Sequence, residues 1–64
     1  MSITTLNIFE LLSPINKRVL GLRYMTNFTY KEIAEALSMT EQEVSKRMFE
    51  ARKEYKRLSE SFNQ

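Results

Sequence analysis

Apolar positions recur at spacings of three and four along almost the whole chain, which is the period of an amphipathic helix. Upstream of Pro14 the recurring residues are Ile3, Leu6, Ile8 or Phe9, and Leu12, predicting a short first helix over 4–12. Ser13-Pro14 opens a second helix: serine suits the N-cap, and proline suits the first helical position because its missing N–H has no partner there anyway. Ile15, Val19, Leu22 and the pair Leu20/Tyr24 give this helix, 14–25, its apolar face. Gly21 lies inside it at an expense of about 1 kcal/mol relative to alanine, which a close helix crossing explains. Asn27 stands where a left-handed residue ends the helix.

Two capping boxes follow, eleven residues apart. Thr29-Tyr-Lys-Glu32 opens a third helix over 30–37 that carries Ile33, Ala34 and Leu37. Thr40-Glu-Gln-Glu43 opens a fourth near Glu41, after the tight connection Ser38-Met39. No breaker follows. Val44, Met48, Ala51, Tyr55, Leu58 and Phe62 run along the fourth helix at spacings of 4, 3, 4, 3 and 4, a heptad-like stripe. Its first half reads as core. Leu58 and Phe62 extend beyond that, and either pack on the first helix or meet another chain. The fold class is all-α: a four-helix helix-turn-helix domain over 1–64, a tri-helical core with a long C-terminal recognition helix, and the helix-turn-helix itself at about 30–50.

Composition narrows the chemistry. Sixty-four residues make one small domain, and with 42% hydrophobic and 28% charged residues it is too apolar to be disordered. Cys and His are absent, there is no Asp, and Gly21 is the single glycine. These absences remove disulfides, thiolate or imidazole metal ligands, the commonest general base and any glycine-rich phosphate loop. No cofactor is expected. Glu32 is better explained as a cap and Glu35 as a solvated position than as acid–base groups, so no enzyme constellation remains. Tyr24 and Tyr30 read as core or helix-junction aromatics. No apolar run approaches membrane-spanning length and no signal peptide is visible, so the expected setting is cytoplasmic with no membrane partner.

Charge points to a partner through its distribution. The chain carries 10 Lys and Arg against 8 Glu, a net +2, with a pI near 9.2. Before Lys46 there are four basic residues and five Glu. From Lys46 to Arg57 there are six basic residues and two Glu, so the last helix holds +4. Two short capped helices separated by the three-residue break Ser38-Met39-Thr40, the second of them basic, are the arrangement that enters a major groove with the first turn of the second helix and meets phosphates along its length.

The run LSPINKRVLGLRYMTNFTYKEIAEALSMTEQEVSKRMFEARKEYKRL, from Leu12 to Leu58, resembles region 4 of sigma factors of the sigma-seventy family, closest to the extracytoplasmic-function type. Carrying the resemblance are Leu12-Ser13-Pro14, Val19-Leu-Gly-Leu-Arg-Tyr24, Thr29-Tyr-Lys-Glu-Ile-Ala-Glu-Ala-Leu37, Val44-Ser-Lys-Arg47 and Ala51-Arg-Lys53. Helix-turn-helix domains of the LuxR type resemble the middle of the chain almost as well, and imply a dimeric regulator. The sigma resemblance implies binding of double-stranded promoter DNA at the −35 element and contact with the β-subunit flap of RNA polymerase. It implies DNA-facing positions at Gln42, Glu43, Lys46 and Arg47 with Ser45 and Thr40 beside them, and backbone contacts at Arg23 and Lys31, with Arg52 and Lys53 further along. Phe49, Leu58 and Phe62 form a candidate interaction patch for another sigma fragment, polymerase or a second copy in a homodimer. A polymerase-docking module that does not read DNA is the other function class.

The chain departs from the family pattern in places. Asn27 and Ser38 stand where glycine is frequent, and Glu43 stands where a small or hydroxyl residue is common. Glu43 caps its helix, accepts from a cytosine amine or repels phosphate. Phe49 and Tyr55 are more apolar than the family's basic exits. The Met start predicts that the 64 residues are the natural chain, and region 2 of a sigma factor does not fit within that length.

Overall fold

Ser13 shows why the chain turns where it does. Proline disfavours helical backbone in the residue before it, and Ser13 is extended, with φ −60° and ψ 152°. The computed structural model describes the backbone of residues 5–62 and the side chains of 8–61. Within it α1 spans Thr5–Glu10, α2 Pro14–Tyr24, α3 Tyr30–Leu37 and α4 Glu41–Phe62. The fold is all-α, as the periodicity predicts. The first helix is shorter than 4–12: Leu11 and Leu12 close tight turns onto the carbonyls of Ile8 and Phe9 as the chain unwinds toward Pro14. Position 4 lies outside the described residues.

The core forms where α2, α3 and α4 cross. Val19, Ile33, Val44, Met48 and Ala51 are completely buried, with Leu12, Leu20 and Ala34 around them. α4 packs on each of the other three helices, so the stripe on its buried side is the spine of the molecule. Twenty-two residues give α4 about 33 Å, which sets the long dimension of a 38 × 19 × 15 Å particle. Leu58 is half-buried against the core. The side chain of Phe62 lies outside the described residues. Gly21 has the predicted reason: a Cβ there would come within 3.3 Å of the Phe9 ring tip, so α1 docks through the missing methyl. No described helix is long and apolar enough to cross a membrane.

Both glycine replacements adopt the left-handed backbone that glycine favours. Asn27 has φ 63° and Ser38 φ 56°. At Ser38 the N–H groups of Ser38 and Met39 both reach the Ala34 carbonyl, which ends α3 and aims α4. A non-glycine residue in this region is strained by about 1–2 kcal/mol, partly offset by its lower unfolded-state entropy. Ser38→Gly is therefore expected to stabilise the fold by about 0.5–1 kcal/mol, raising Tm by roughly 4 °C. An unchanged or lower melting temperature by circular dichroism would show that the turn is not strained.

Candidate nucleic-acid interface

The start of α4 is held by its capping box. Thr40 N–H donates to Glu43 Oε1 at 2.8 Å, and Glu43 N–H donates to Thr40 Oγ1 at 3.0 Å. The same reciprocal pair opens α3 between Thr29 and Glu32. Of the three roles open to Glu43, capping is the one its geometry shows. The Thr40 backbone N–H, then its hydroxyl, hold the Glu43 carboxyl below the usual carboxylate range, so it stays ionised and turned toward its own helix end. Two of the candidate DNA contacts, Thr40 and Glu43, are thus occupied in fixing the turn.

The remaining candidates on α4 lie on two adjoining flanks. Gln42, Ser45, Lys46, Phe49 and Lys53 fall three, four and seven apart and are all exposed. Phe49 is 63% exposed, and Lys53 Nζ stands 5.9 Å from its ring centroid. This is one continuous face: an amide, a hydroxyl, an ammonium, then an aromatic with a second ammonium over it. Arg47 does not share that face. It is half-buried and lines a cleft with Ser13, Asn16, Glu50, Lys53, Glu54 and Arg57, so Lys53 borders both the exposed row and the cleft. The spacing of Glu43, Arg47, Glu50, Glu54 and Arg57 places these five on the flank next to that row, with Glu50 and Arg57 three and four residues from Lys53. Here the structure divides residues that the sequence grouped.

The backbone-contact candidates divide as well. Lys31 is exposed in the first turn of α3. Arg23 Nη1 donates to the Phe28 carbonyl at 3.1 Å and its guanidinium lies 5.7 Å from the Tyr30 ring centroid, so it braces the α2–α3 connection. Arg52 is committed too. Its Nε and Nη2 donate to Tyr24 Oη at 3.0 and 2.7 Å, and Nη2 also donates to Tyr30 Oη at 3.3 Å. The Tyr24 hydroxyl, ahead of the Tyr30 contact, holds Arg52 further into its charged range. Tyr24, placed by its spacing on the apolar face of α2, is 62% exposed; its ring leaves the core to meet Arg52 at the helix junction.

One cluster has no counterpart in the sequence reading. Glu54 Oε1 accepts from Ser13 N–H at 3.1 Å, Ser13 Oγ at 2.8 Å and Asn16 Nδ2 at 2.8 Å. Ser13 occupies the N-cap position, but its side chain makes no capping bond to its own helix. The carboxylate of α4 sits at the start of α2 instead, where unpaired N–H groups favour an anion. The Asn16 amide is the largest of the influences lowering the Glu54 carboxyl below its ordinary range, followed among the favourable ones by Ser13 and Arg57, against some desolvation. Asn16 itself is buried at 6% exposure, and its Oδ1 has no partner among the described residues.

The family model for sigma-70, region 4 matches residues 8–57. The chain belongs to that family. Its match covers all of α2 and α3 and α4 as far as Arg57, the whole unit with the helix-turn-helix and the exposed α4 face. Sigma-70 region 4 is a DNA-binding helix-turn-helix of transcription regulation, a regulatory and not a catalytic domain. No curated protein and no solved structure matches the chain at a comparable level.

Proposed function

We propose that this region-4 chain is a small cytoplasmic transcription regulator that lays the first turns of α4 in the major groove of promoter DNA and acts beside RNA polymerase, touching the β-subunit flap or another sigma fragment. One observation carries the reading: the exposed row Gln42, Ser45, Lys46, Phe49 and Lys53 starts at a doubly capped helix end, directly after the helix-turn-helix turn. Each member suits one feature of the groove. The Gln42 amide pairs with the N6 and N7 edge of adenine, Lys46 reaches guanine O6 and N7 or a phosphate, and Phe49 meets a thymine methyl. Lys53, with Lys31 from α3, meets backbone phosphates.

A net charge of +2 gives few phosphate contacts, so affinity for DNA alone is modest and falls steeply with salt. Tethering to polymerase or pairing with a second copy supplies the rest. Selection from random duplexes at low salt, together with co-purification of polymerase from the native cell, tests both halves. Recovery of polymerase with no duplex preference at any salt would support docking without DNA reading and reject the proposal. Gln42→Ala is expected to relax preference at one base pair by about tenfold. Unchanged selectivity across all positions would remove Gln42 from the reading.

A further inference from the structure

We propose that Tyr24 and Tyr30 are anion-binding residues that grip one phosphate of the DNA backbone through their hydroxyls, and that Arg52 is the positioning residue that aims them. The inference rests on the DNA-binding reading above and extends it to a second contact surface. Three helices converge at this point: Tyr24 ends α2, Tyr30 begins α3 and Arg52 comes from α4. Both phenol oxygens accept from the same guanidinium nitrogen, at 2.7 and 3.3 Å. Tyr24 Oη accepts two bonds and Tyr30 Oη one from Arg52, and neither hydroxyl proton has an acceptor among the described residues. A cation polarising an O–H makes it a stronger donor. Two such donors, held on one nitrogen, fit two oxygens of a phosphodiester, and the uncommitted Nη1 of Arg52 keeps the site positive.

The place of the cluster favours DNA as the source of that phosphate. Ser45, Phe49 and Arg52 follow one another at four and three residues along α4, so the tyrosines adjoin the exposed face that starts at Gln42. Lys31, exposed, is next to Tyr30 in the first turn of α3, and Arg23 lies 5.7 Å from the Tyr30 ring. A duplex on the α4 face therefore has its backbone passing this side of the molecule.

The test is fluorescence anisotropy on duplex DNA across a salt series, with wild type, Tyr24→Phe/Tyr30→Phe, Arg52→Lys and the triple variant. The double variant is expected to bind about tenfold more weakly, equally on selected and scrambled duplexes. Its log–log salt slope stays that of wild type, because neutral hydroxyls release no counterions. Arg52→Lys, which keeps the charge but cannot hold both hydroxyls, shows a similar loss on its own and adds little in the double-variant background. Full affinity in Tyr24→Phe/Tyr30→Phe overturns the proposal, as does a loss that tracks a lower helical signal at the assay temperature. An Arg52→Lys effect that persists undiminished in the double background assigns the contact to Arg52 itself and overturns the positioning role. Wild-type protein that binds no duplex at low salt rejects the DNA reading and this proposal together, whereas normal wild-type binding with an unaffected double variant rejects only this one.

Discussion

Asn16→Asp is expected to lower the stability of the fold by about 3 kcal/mol at neutral pH, the range found when a buried charged contact loses its complement. The substitution changes one NH₂ group into one oxygen. That group now donates to Glu54 Oε1 at 2.8 Å and contacts Ser13 Oγ at 3.3 Å. An aspartate would set a second carboxylate against the first in a position only 6% exposed. A domain of this size holds a few kcal/mol in total, so a large part of the population unfolds. The pH response reverses sign. In the wild type, Glu54 is held below its ordinary pKa, so its contribution is present above the unfolded value and is lost as pH falls through the folded value. In Asn16→Asp the new carboxyl is pushed upward by burial and by Glu54, so stability returns as pH falls through that raised value. Thermal melts between pH 3 and 8 (roughly the span of ordinary and raised carboxyl titration) check both slopes. A variant that melts like wild type at pH 7 would show that the Glu54 cluster does not join α2 to α4.

That cluster also marks the boundary of what the sequence discloses. The starts of α2, α3 and α4 were legible because each is written within four residues: Ser13-Pro14, Thr29 with Glu32, Thr40 with Glu43. The left-handed turn at Asn27 was legible because it follows an apolar period that stops, whereas Ser38, standing where glycine is frequent, left a strained turn or a different one open until its φ of 56° decided it. The buried half of the α4 stripe was legible from its spacing, and its members Val44, Met48 and Ala51 are wholly buried. Glu54 and Arg52 were not legible as tethers. Glu54 meets residues 38 and 41 positions away, and Arg52 meets residues 22 and 28 positions away. Nothing local separates an arginine that braces tyrosines from one left for phosphate, or a glutamate that faces solvent from one at a distant helix start. The buried polar residue Asn16 was missed for the same reason, since its environment is made by α4. The basic segment was therefore found as a quantity of charge, and the fold decides which of its members are available: Lys46 and Lys53 are exposed, Lys53 at the edge of the cleft, while Arg47 lies half-buried in the cleft and Arg52 is bonded to Tyr24.

This division yields the larger functional prediction. Lys46→Gln with Lys53→Gln removes two positive charges from the exposed face, and Arg47→Gln with Arg57→Gln removes two from the cleft side of the same helix. Net charge falls equally in both, from +2 to zero. If each lysine neutralises one phosphate, each contributes about 0.9 to the salt slope, so at roughly 0.1 M salt the lysine pair accounts for about a fifty- to hundredfold gain in affinity. The lysine variant is expected to lose that factor, with the slope shallower by about two, and to keep its helical signal because neither side chain is buried. The arginine variant feels only the weaker long-range field, screened within about 8–10 Å, and is expected to lose less than tenfold with little change in slope. It should instead melt at lower temperature, since Arg57 is one of the groups that keep the Glu54 carboxylate ionised at the start of α2. Anisotropy titrations at three salt concentrations, paired with melts, separate the two patterns. Equal losses and equal slopes for the two variants would mean that α4 attracts DNA only as a rod of charge, and that the face running from Gln42 to Lys53 has no privileged place in the groove.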